Sequence, residues 1–255
     1  MLRLVGKNDS LSIESTGIST LQPRSTYDKS YVRSLFDSIA RRYDLLNHLL
    51  SSGFDIFWRA KAIQLLADFH PKRILDIATG TADLALKAAE LRPEQIIGID
   101  ISEEMLKLGR RKISQRNLDR LITLQAGDAE SLGFPDDSFD ATTVAFGVRN
   151  YSNLMQGLQE MCRVLRPDGV AIILEFSQPK VFPVKQLYAL YSRWVLPSIG
   201  GFISGHRGAY EYLPQTVREF PDGEGLLLML RAAGFKSTKQ HRLTFGIATI
   251  YIATK

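Results

Sequence analysis

The stretch Arg73-Ile74-Leu75-Asp76-Ile77-Ala78-Thr79-Gly80-Thr81-Ala82-Asp83 decides the fold. Residues 73–78 read as a short buried strand, and Thr79-Gly80-Thr81 breaks it. Leu84, Ala88 and Leu91 then recur at helical spacing until Pro93. A strand that turns within a few residues into a helix opens a βαβ unit, and the pattern repeats downstream. Strand 96–100 (IIGID) precedes helix 103–117, with Ser102 as its N-cap and Glu103 and Glu104 in its first turn. Strand 121–125, the loop GDAESLGFPDDS, strand 139–146, helix 153–165, the turn Pro167-Asp168-Gly169 and strand 170–176 follow. Such alternation predicts an α/β fold with a parallel sheet and right-handed crossovers.

The pattern differs on either side. Val32, Leu35, Phe36, Ile39, Tyr43, Leu46 and Leu50 keep helical spacing until Gly53, and a second amphipathic stretch over Phe57, Ala60, Ile63, Leu66 and Ala67 stops at Pro71. After Ser177, segment 183–196 reads as an aromatic helix with Leu187, Tyr188, Tyr191 and Trp194 on one side, and 197–221 as loop. Helix 224–233 ends at Gly234. Strands 236–244 and 247–254 are separated by so little that they must form an antiparallel hairpin. The expected organisation is a flexible tail over 1–27 and a single domain over 28–255. That domain carries a helical substrate cap at 28–70 and a lid insertion at about 178–222.

Composition excludes several classes. With 45% hydrophobic and 23% charged residues the chain is neither disordered nor low-complexity. One cysteine, Cys162, allows no intrachain disulfide. The charge of +5 is interspersed, and its densest cluster (Lys107, Arg110, Arg111, Lys112, Arg116) lies in the second half of a helix, where cations suit the dipole. A solvated helix face is therefore expected there, and no nucleic-acid partner. The longest apolar runs, 170–176 and 226–230, fall short of the ~18 residues of a membrane span. The N-terminus lacks the apolar core of a secretory signal, so a cytoplasmic protein is expected, with no metal site.

The chemistry concentrates at strand ends. A dinucleotide fingerprint needs three glycines to admit a pyrophosphate, and the loop after residue 78 has only Gly80. Asp100 closes the second strand, 20 residues beyond Gly80, where a carboxylate can accept from a ribose diol. A nucleoside cofactor without pyrophosphate fits, and S-adenosylmethionine meets that description. A glycine-poor NAD site competes, and Asp76 and Asp100 could instead be a buried loop anchor and a strand-end cap. Asp128, with Ala129 beside it, follows the third strand and can accept from an adenine amino group. The fourth strand ends in Ala145-Phe146-Gly147-Val148-Arg149-Asn150, without the Asp/Asn-Pro-Pro-aromatic run of amino-methylating enzymes. Arg149 and Asn150 are donor-rich and suit an anionic oxygen on a substrate.

These blocks resemble the quinone-biosynthesis C-methyltransferases, the demethylmenaquinone and 2-polyprenyl-benzoquinol methyltransferase family. The matching pieces are Phe36-Asp37-x-Ile39-Ala40-x-x-Tyr43-Asp44-x-x-Asn47, Ser52-Gly53-x-Asp55-x-x-Trp58-Arg59, Leu75-Asp76 through Leu84, Phe146-Gly147-Val148-Arg149-Asn150, Leu174-Glu175-Phe176-Ser177 and the stretch from Tyr191 to Gly201. The likeness covers about 28–255. It implies a class I, Rossmann-like S-adenosylmethionine-dependent methyltransferase sheet of seven strands ending in an antiparallel hairpin. It also implies cofactor contacts at Thr81, Asp100, Asp128 and Ala129, beside Asp76 and Gly80 of the loop, and a catalytic polar group of Tyr43, Arg149 and Asn150. Ala145 departs from the Ser common in that family and removes one hydroxyl contact.

The expected reaction is C-methylation of a demethylmenaquinol. A polyprenyl benzoquinol or a soluble small molecule are the alternatives. Arg149 is too basic to take a proton, so it is assigned to stabilise a phenolate, with Tyr43 or a water passing the proton and His48 or His206 as alternative bases. The first helix and segment 183–196 are candidate walls of a prenyl site, with a packed core helix as the bland alternative. The expected partner is a lipid quinol reached by transient contact with a membrane surface, peripheral at the inner face. A homodimer is left open.

Overall fold

The computed structural model describes residues 28–191 and 207–255. The expectations for the tail over 1–27, for Trp194 and His206, and for part of the lid insertion lie outside them. A seven-stranded sheet has the order β3-β2-β1-β4-β5-β7-β6. Its strands are β1 Arg73–Ile77, β2 Gln95–Asp100, β3 Ile122–Ala126, β4 Phe139–Ala145, β5 Leu165–Phe176, β6 Ser237–Leu243 and β7 Ala248–Thr254. β1 to β5 pair in parallel, whereas β7 runs antiparallel to both β5 and β6. Order and direction agree with the alternation in the sequence and its terminal hairpin.

Side chains alternate across β1. Leu75 and Ile77 face one core, with α5 (Leu154–Val164) and α8 (Glu224–Ala232), whereas Ile74 faces the other. That second core holds α2 (Phe54–Ala67), α3 (Asp83–Ala88) and α4 (Glu103–Gln115). Ser102 caps α4, its hydroxyl accepting from Met105 N–H at 3.2 Å. Two basic residues of α4 are paired on the helix itself, Arg110 with Glu103 and Lys107 with Glu104.

Two expectations need correction. Segment 197–221 was expected as loop, yet 207–219 forms helix α7 with Pro214 inside it. A proline removes one backbone hydrogen bond. The helix persists because Tyr212 and Val217, with Phe220 just beyond its end, are buried against the domain. The turn Pro167-Asp168-Gly169 does not precede β5 but bulges within it, since Phe139 pairs with Leu165 and Ala141 with Val170. Helix α6 spans Val184–Leu190, and residues 192–196 of the expected aromatic helix lie outside the described residues.

The first helix, α1 (Lys29–Leu50), crosses the carboxyl ends of the strands. Three side chains on one stripe reach three strand-end loops. Lys29 Nζ lies 2.7 Å from Asp128 and 3.0 Å from Glu130. Asp37 accepts a short hydrogen bond from the Ser102 hydroxyl. Asp44 accepts from the Thr81 hydroxyl at 2.6 Å and pairs with Lys112 at 2.6 Å.

Close packing under the site admits no side chain at Gly98 of β2. A Cβ there would lie 2.5 Å from Leu124 Cδ2 and 2.9 Å from Thr79 Oγ1. Gly98→Ala is expected to destabilise the protein by about 1–3 kcal/mol in urea denaturation, the usual cost of overpacking. An unchanged midpoint would show that the β2–β3 layer yields freely.

Candidate active site

The β1 loop turns sharply because Ala78, Gly80 and Ala82 all take positive φ, at 51°, 55° and 67°. Glycine tolerates this, whereas alanine is strained by it, and such strain concentrates at functional sites. The turn aims Gly80 N–H at Asp100 Oδ2, 2.8 Å away, while Ser102 N–H donates to Asp100 Oδ1 at 2.9 Å. Each carboxylate oxygen retains a lone pair for a ligand diol. Burial raises the Asp100 carboxyl above its usual value, against the amide hydrogen bonds.

Asp100 and Gly80 line a cleft of about 690 Å³ with Tyr43, Asp128, Ala129 and Asn150. Six of the nine expected site residues therefore line one cleft at the carboxyl ends of the strands. Asp128 accepts from Glu130 N–H through Oδ1 and from Lys29 through Oδ2. Val32 and Phe36 of α1 form part of the wall opposite the loop, and Ala145 lines the cleft with a methyl where the related family has a hydroxyl.

The other three lie behind the cleft. Asp76 is buried and accepts hydroxyl hydrogen bonds, from Thr143 at 2.6 Å and from Thr79, rather than loop amides. It ties the loop to β4. Thr81 is buried too, its hydroxyl engaged by Asp44 and by Lys112 at 2.9 Å. Arg149 is buried in an ion pair with Glu175, Nη1 to Oε1 at 2.7 Å, and its Nη1 also donates to the Phe146 carbonyl. Burial opposes its charge, but Glu175 together with Tyr43 and Tyr212 more than offsets this and keeps it protonated. Its Nε has no partner.

Tyr43 stands at the end of the cleft nearest Gly80, edge-on to Phe36 at 5.9 Å. Burial raises its hydroxyl above the usual phenol value, against a hydrogen bond with Asn47 and the charges of Arg149 and Arg59. It therefore holds its proton at neutral pH and acts as a donor. Asn150 is oriented by the Tyr212 hydroxyl, which donates to its Oδ1 at 2.8 Å. His48 is tied to the corner between α1 and α2, its Nδ1 2.9 Å from Asp55 Oδ2. Asp55 also accepts from Ser51 and pairs with Arg59.

A second cavity, of about 1060 Å³, is almost wholly apolar. Leu187, Tyr188 and Tyr191 supply one wall, as their shared side in the sequence implied, with Val184 beside them. Phe54 and Trp58 of α2 supply another, and Leu213, Pro214 and Val217 of α7 a third. The first helix was expected as a wall, and among the described residues Ser51 and Ser52, just past its end, line the groove. Between this groove and the cleft stands an aromatic partition. Phe146, a cleft residue, lies 4.5 Å from the Phe176 ring and 6.1 Å from Trp58, both groove residues.

Several contacts were not readable in the sequence. Lys29 resembles any polar helix residue, and Asp37 and Asp44 stand in a quoted motif but their partners Ser102 and Thr81 are distant in sequence. Glu175 stands in a quoted motif, but its pairing with Arg149 depends on β4 and β5 being neighbours.

The carboxyl of Asp76 is pushed up to about 6 by burial, against the hydrogen bonds from Thr143 and Thr79. Its native value exceeds the unfolded one, so stability falls as pH rises from about 4 to 6 and the penalty is complete above that window. Two pH units correspond to about 3 kcal/mol. Asp76→Asn is expected to melt close to wild type near pH 4.5 and progressively higher than wild type towards pH 7. A difference independent of pH would contradict burial of an ionised carboxylate.

Comparison with known proteins places these features. The sequence profile of the ubiE/COQ5 methyltransferase family matches residues 24–255. The demethylmenaquinone methyltransferase of Bacteroides fragilis is 49% identical over 225 residues, covering 88% of this chain and 92% of that protein. The ubiquinone/menaquinone biosynthesis C-methyltransferase UbiE of Geobacter sulfurreducens is 45% identical over 234 residues, 91% of each chain. Among solved structures, a SAM-dependent methyltransferase from Thermotoga maritima has a TM-score of 0.61 at 20% identity, covering 87% of this chain and 99% of that one. The [4+2]-cyclase SpnF has a TM-score of 0.59 at 17% identity, covering 88% and 94%. At such identities only the fold is shared, and the cyclase shows that the same fold hosts other reactions.

Proposed function

Because this chain belongs to the ubiE/COQ5 methyltransferase family, we propose that it transfers a methyl group from S-adenosylmethionine to a ring carbon of a demethylmenaquinol, producing menaquinol. The observation that carries the substrate class is the pairing of two cavities. A cleft lined by the cofactor-edge acids and an apolar groove lie on either side of the Phe146–Trp58–Phe176 cluster, as a polar ring with a prenyl tail requires.

The residues present fit the cofactor. Asp100 offers free lone pairs to a ribose diol, Asp128 and Ala129 border the adenine end, and the β1 loop at Gly80 takes the amino-acid end. The Tyr151 hydroxyl lies buried at this cleft without a partner, available to a polar ligand. Thr81, its hydroxyl already engaged by Asp44 and Lys112, would contribute through its backbone. Asp76 acts by fixing the loop. Bound S-adenosylmethionine supplies an electrophilic methyl group.

The chain must make the quinol carbon nucleophilic. That carbon reacts once the neighbouring hydroxyl has lost its proton, because the negative charge spreads onto the ring. Arg149, a buried cation, favours the phenolate over its neutral acid, since charges interact strongly where water is excluded. Glu175 fixes its orientation and leaves Nε as the unused donor. Asn150, held by Tyr212, presents its amide to the cleft, and Tyr43 donates a hydrogen bond to the forming phenolate while a water takes the quinol proton. Alignment of ring and cofactor supplies several kcal/mol more.

The dual name of the Geobacter relative makes a polyprenyl benzoquinol the second substrate to test. No helix of the described residues is long and apolar enough to cross a membrane, and we place the enzyme in the cytoplasm, meeting its substrate at the inner membrane face. Anaerobic assays on demethylated naphthoquinols and benzoquinols with matched tails are expected to show at least tenfold higher kcat/KM on the naphthoquinol. Preference for the benzoquinol would move the chain to the ubiquinone branch, and methylation of neither would overturn the quinol reading.

A further inference from the structure

Large apolar side chains are exposed around the mouth of the apolar groove. Phe54 and Phe57 of α2 are 48% and 56% exposed, Phe182 before α6 is 76%, Leu187 and Leu190 on α6 are 62% and 59%, and Phe245 between β6 and β7 is 74%. They come from three chain segments that converge. Phe54 and Leu187 are themselves groove walls, and Thr244 is another. Trp58 Nε1 donates to Thr244 Oγ1 at 2.7 Å, joining α2 to the hairpin turn. A Cβ on Gly246 would lie 3.6 Å from Pro179 Cα, which puts that turn against the segment leading to Phe182.

Phe245 is notable because it combines exposure with a φ of 57°, and a bulky side chain pays steric strain in that region. An exposed aromatic held at strain, within a patch of this kind, marks an interaction surface. On the segments that carry the exposed apolar residues the free charge has one sign, with Asp222 and Glu219 behind them, Asp222 accepting from Gln178 N–H at 3.0 Å. Residues 178–191 contain Lys180 and Lys185 and no acid, both lysines are exposed, and residues 243–248 carry no charge. The one acid of α2, Asp55, is buried in its pair with Arg59.

We propose that this face, with Phe182, Leu190 and Phe245 at its edge and the groove mouth at its centre, docks on an anionic lipid bilayer. This rests on the quinol reading above, since a prenylated substrate resides in lipid and the groove opens within the patch. Aromatic and aliphatic side chains enter the interfacial layer, and flanking lysines add electrostatic attraction to acidic headgroups. A quinol then passes ring-first from bilayer through the groove towards the cleft, its tail following, without crossing water.

The test uses the full chain and vesicles of phosphatidylcholine, with and without phosphatidylglycerol. Wild type is expected to float with the anionic vesicles. The triple variant Phe182→Ser, Leu190→Ser, Phe245→Asn, whose residues line neither cavity, is expected to bind at least tenfold more weakly. Lys180→Glu with Lys185→Glu is expected to abolish the preference for anionic lipid. The triple variant should keep wild-type kcat on a demethylated naphthoquinol with a single isoprene unit in solution. It should lose about tenfold in kcat/KM on a long-tailed quinol presented in vesicles. Absence of wild-type flotation, equal binding by the triple variant, or a dimer in solution that the same substitutions dissociate would overturn the proposal. Methyl transfer to the short-tailed quinol is scored separately: its failure in wild type would count against the quinol reading, while flotation would still decide the docking face.

Discussion

The hydrogen bond from Gly80 N–H to the Asp100 carboxylate fixes the spacing on which the site depends. It requires a loop that turns back within a few residues, hence the run of positive φ angles from Ala78 to Ala82. It also requires β2 to end where the loop arrives, which the pairing of Ile77 with Ile99 ensures. Beneath it, Asp76 binds Thr79 of the loop and Thr143 of β4. Two carboxylates therefore hold one loop from two sides. The buried one carries the energetic cost, and the one at the cleft keeps free lone pairs for a ligand.

Helix α1 completes the arrangement. Its apolar stripe, Val32, Phe36 and Tyr43, closes the cleft, and its polar stripe, Lys29, Asp37 and Asp44, binds the three loops around it. A helix held only by exposed ion pairs would contribute little. Here Asp37 and Asp44 meet Ser102 and Thr81, whose side chains are buried, so the contacts fix the position of the cap. Tyr43 reaches the cleft because that position is fixed. On the far side of Phe146, α2, α6 and α7 build the groove, and the aromatic partition separates a polar chemistry from an apolar one.

Much of this was legible in the sequence. The change from helical to strand periodicity at Arg73, the single glycine at Gly80 and the acids at Asp100 and Asp128 lead to the sheet and the cofactor edge without any coordinates. Local patterns carry that information because strand ends follow strands. What was not legible depends on contacts distant in sequence. The partnership of Arg149 with Glu175 needs adjacent parallel strands, and the clamping of α1 needs three loops brought together in space. Segment 197–221 read as loop, yet over 207–219 burial of Tyr212 and Val217 outweighs the hydrogen bond that Pro214 removes. Among the described residues the apolar stripe of α1 lines the cofactor cleft, and Phe54 and Trp58 of α2 line the apolar groove.

The central claim is that a buried cation and an aligned cofactor act on an electron-rich ring. A quinone ring is electron-poor and cannot attack an electrophilic methyl, whereas a quinol that loses a proton can. Methyl incorporation from labelled S-adenosylmethionine into one demethylated naphthoquinone substrate, dithionite-reduced and air-oxidised side by side with the redox state checked spectroscopically, measures this directly. The account predicts transfer to the reduced ring and almost none to the oxidised one. Equal rates would contradict it.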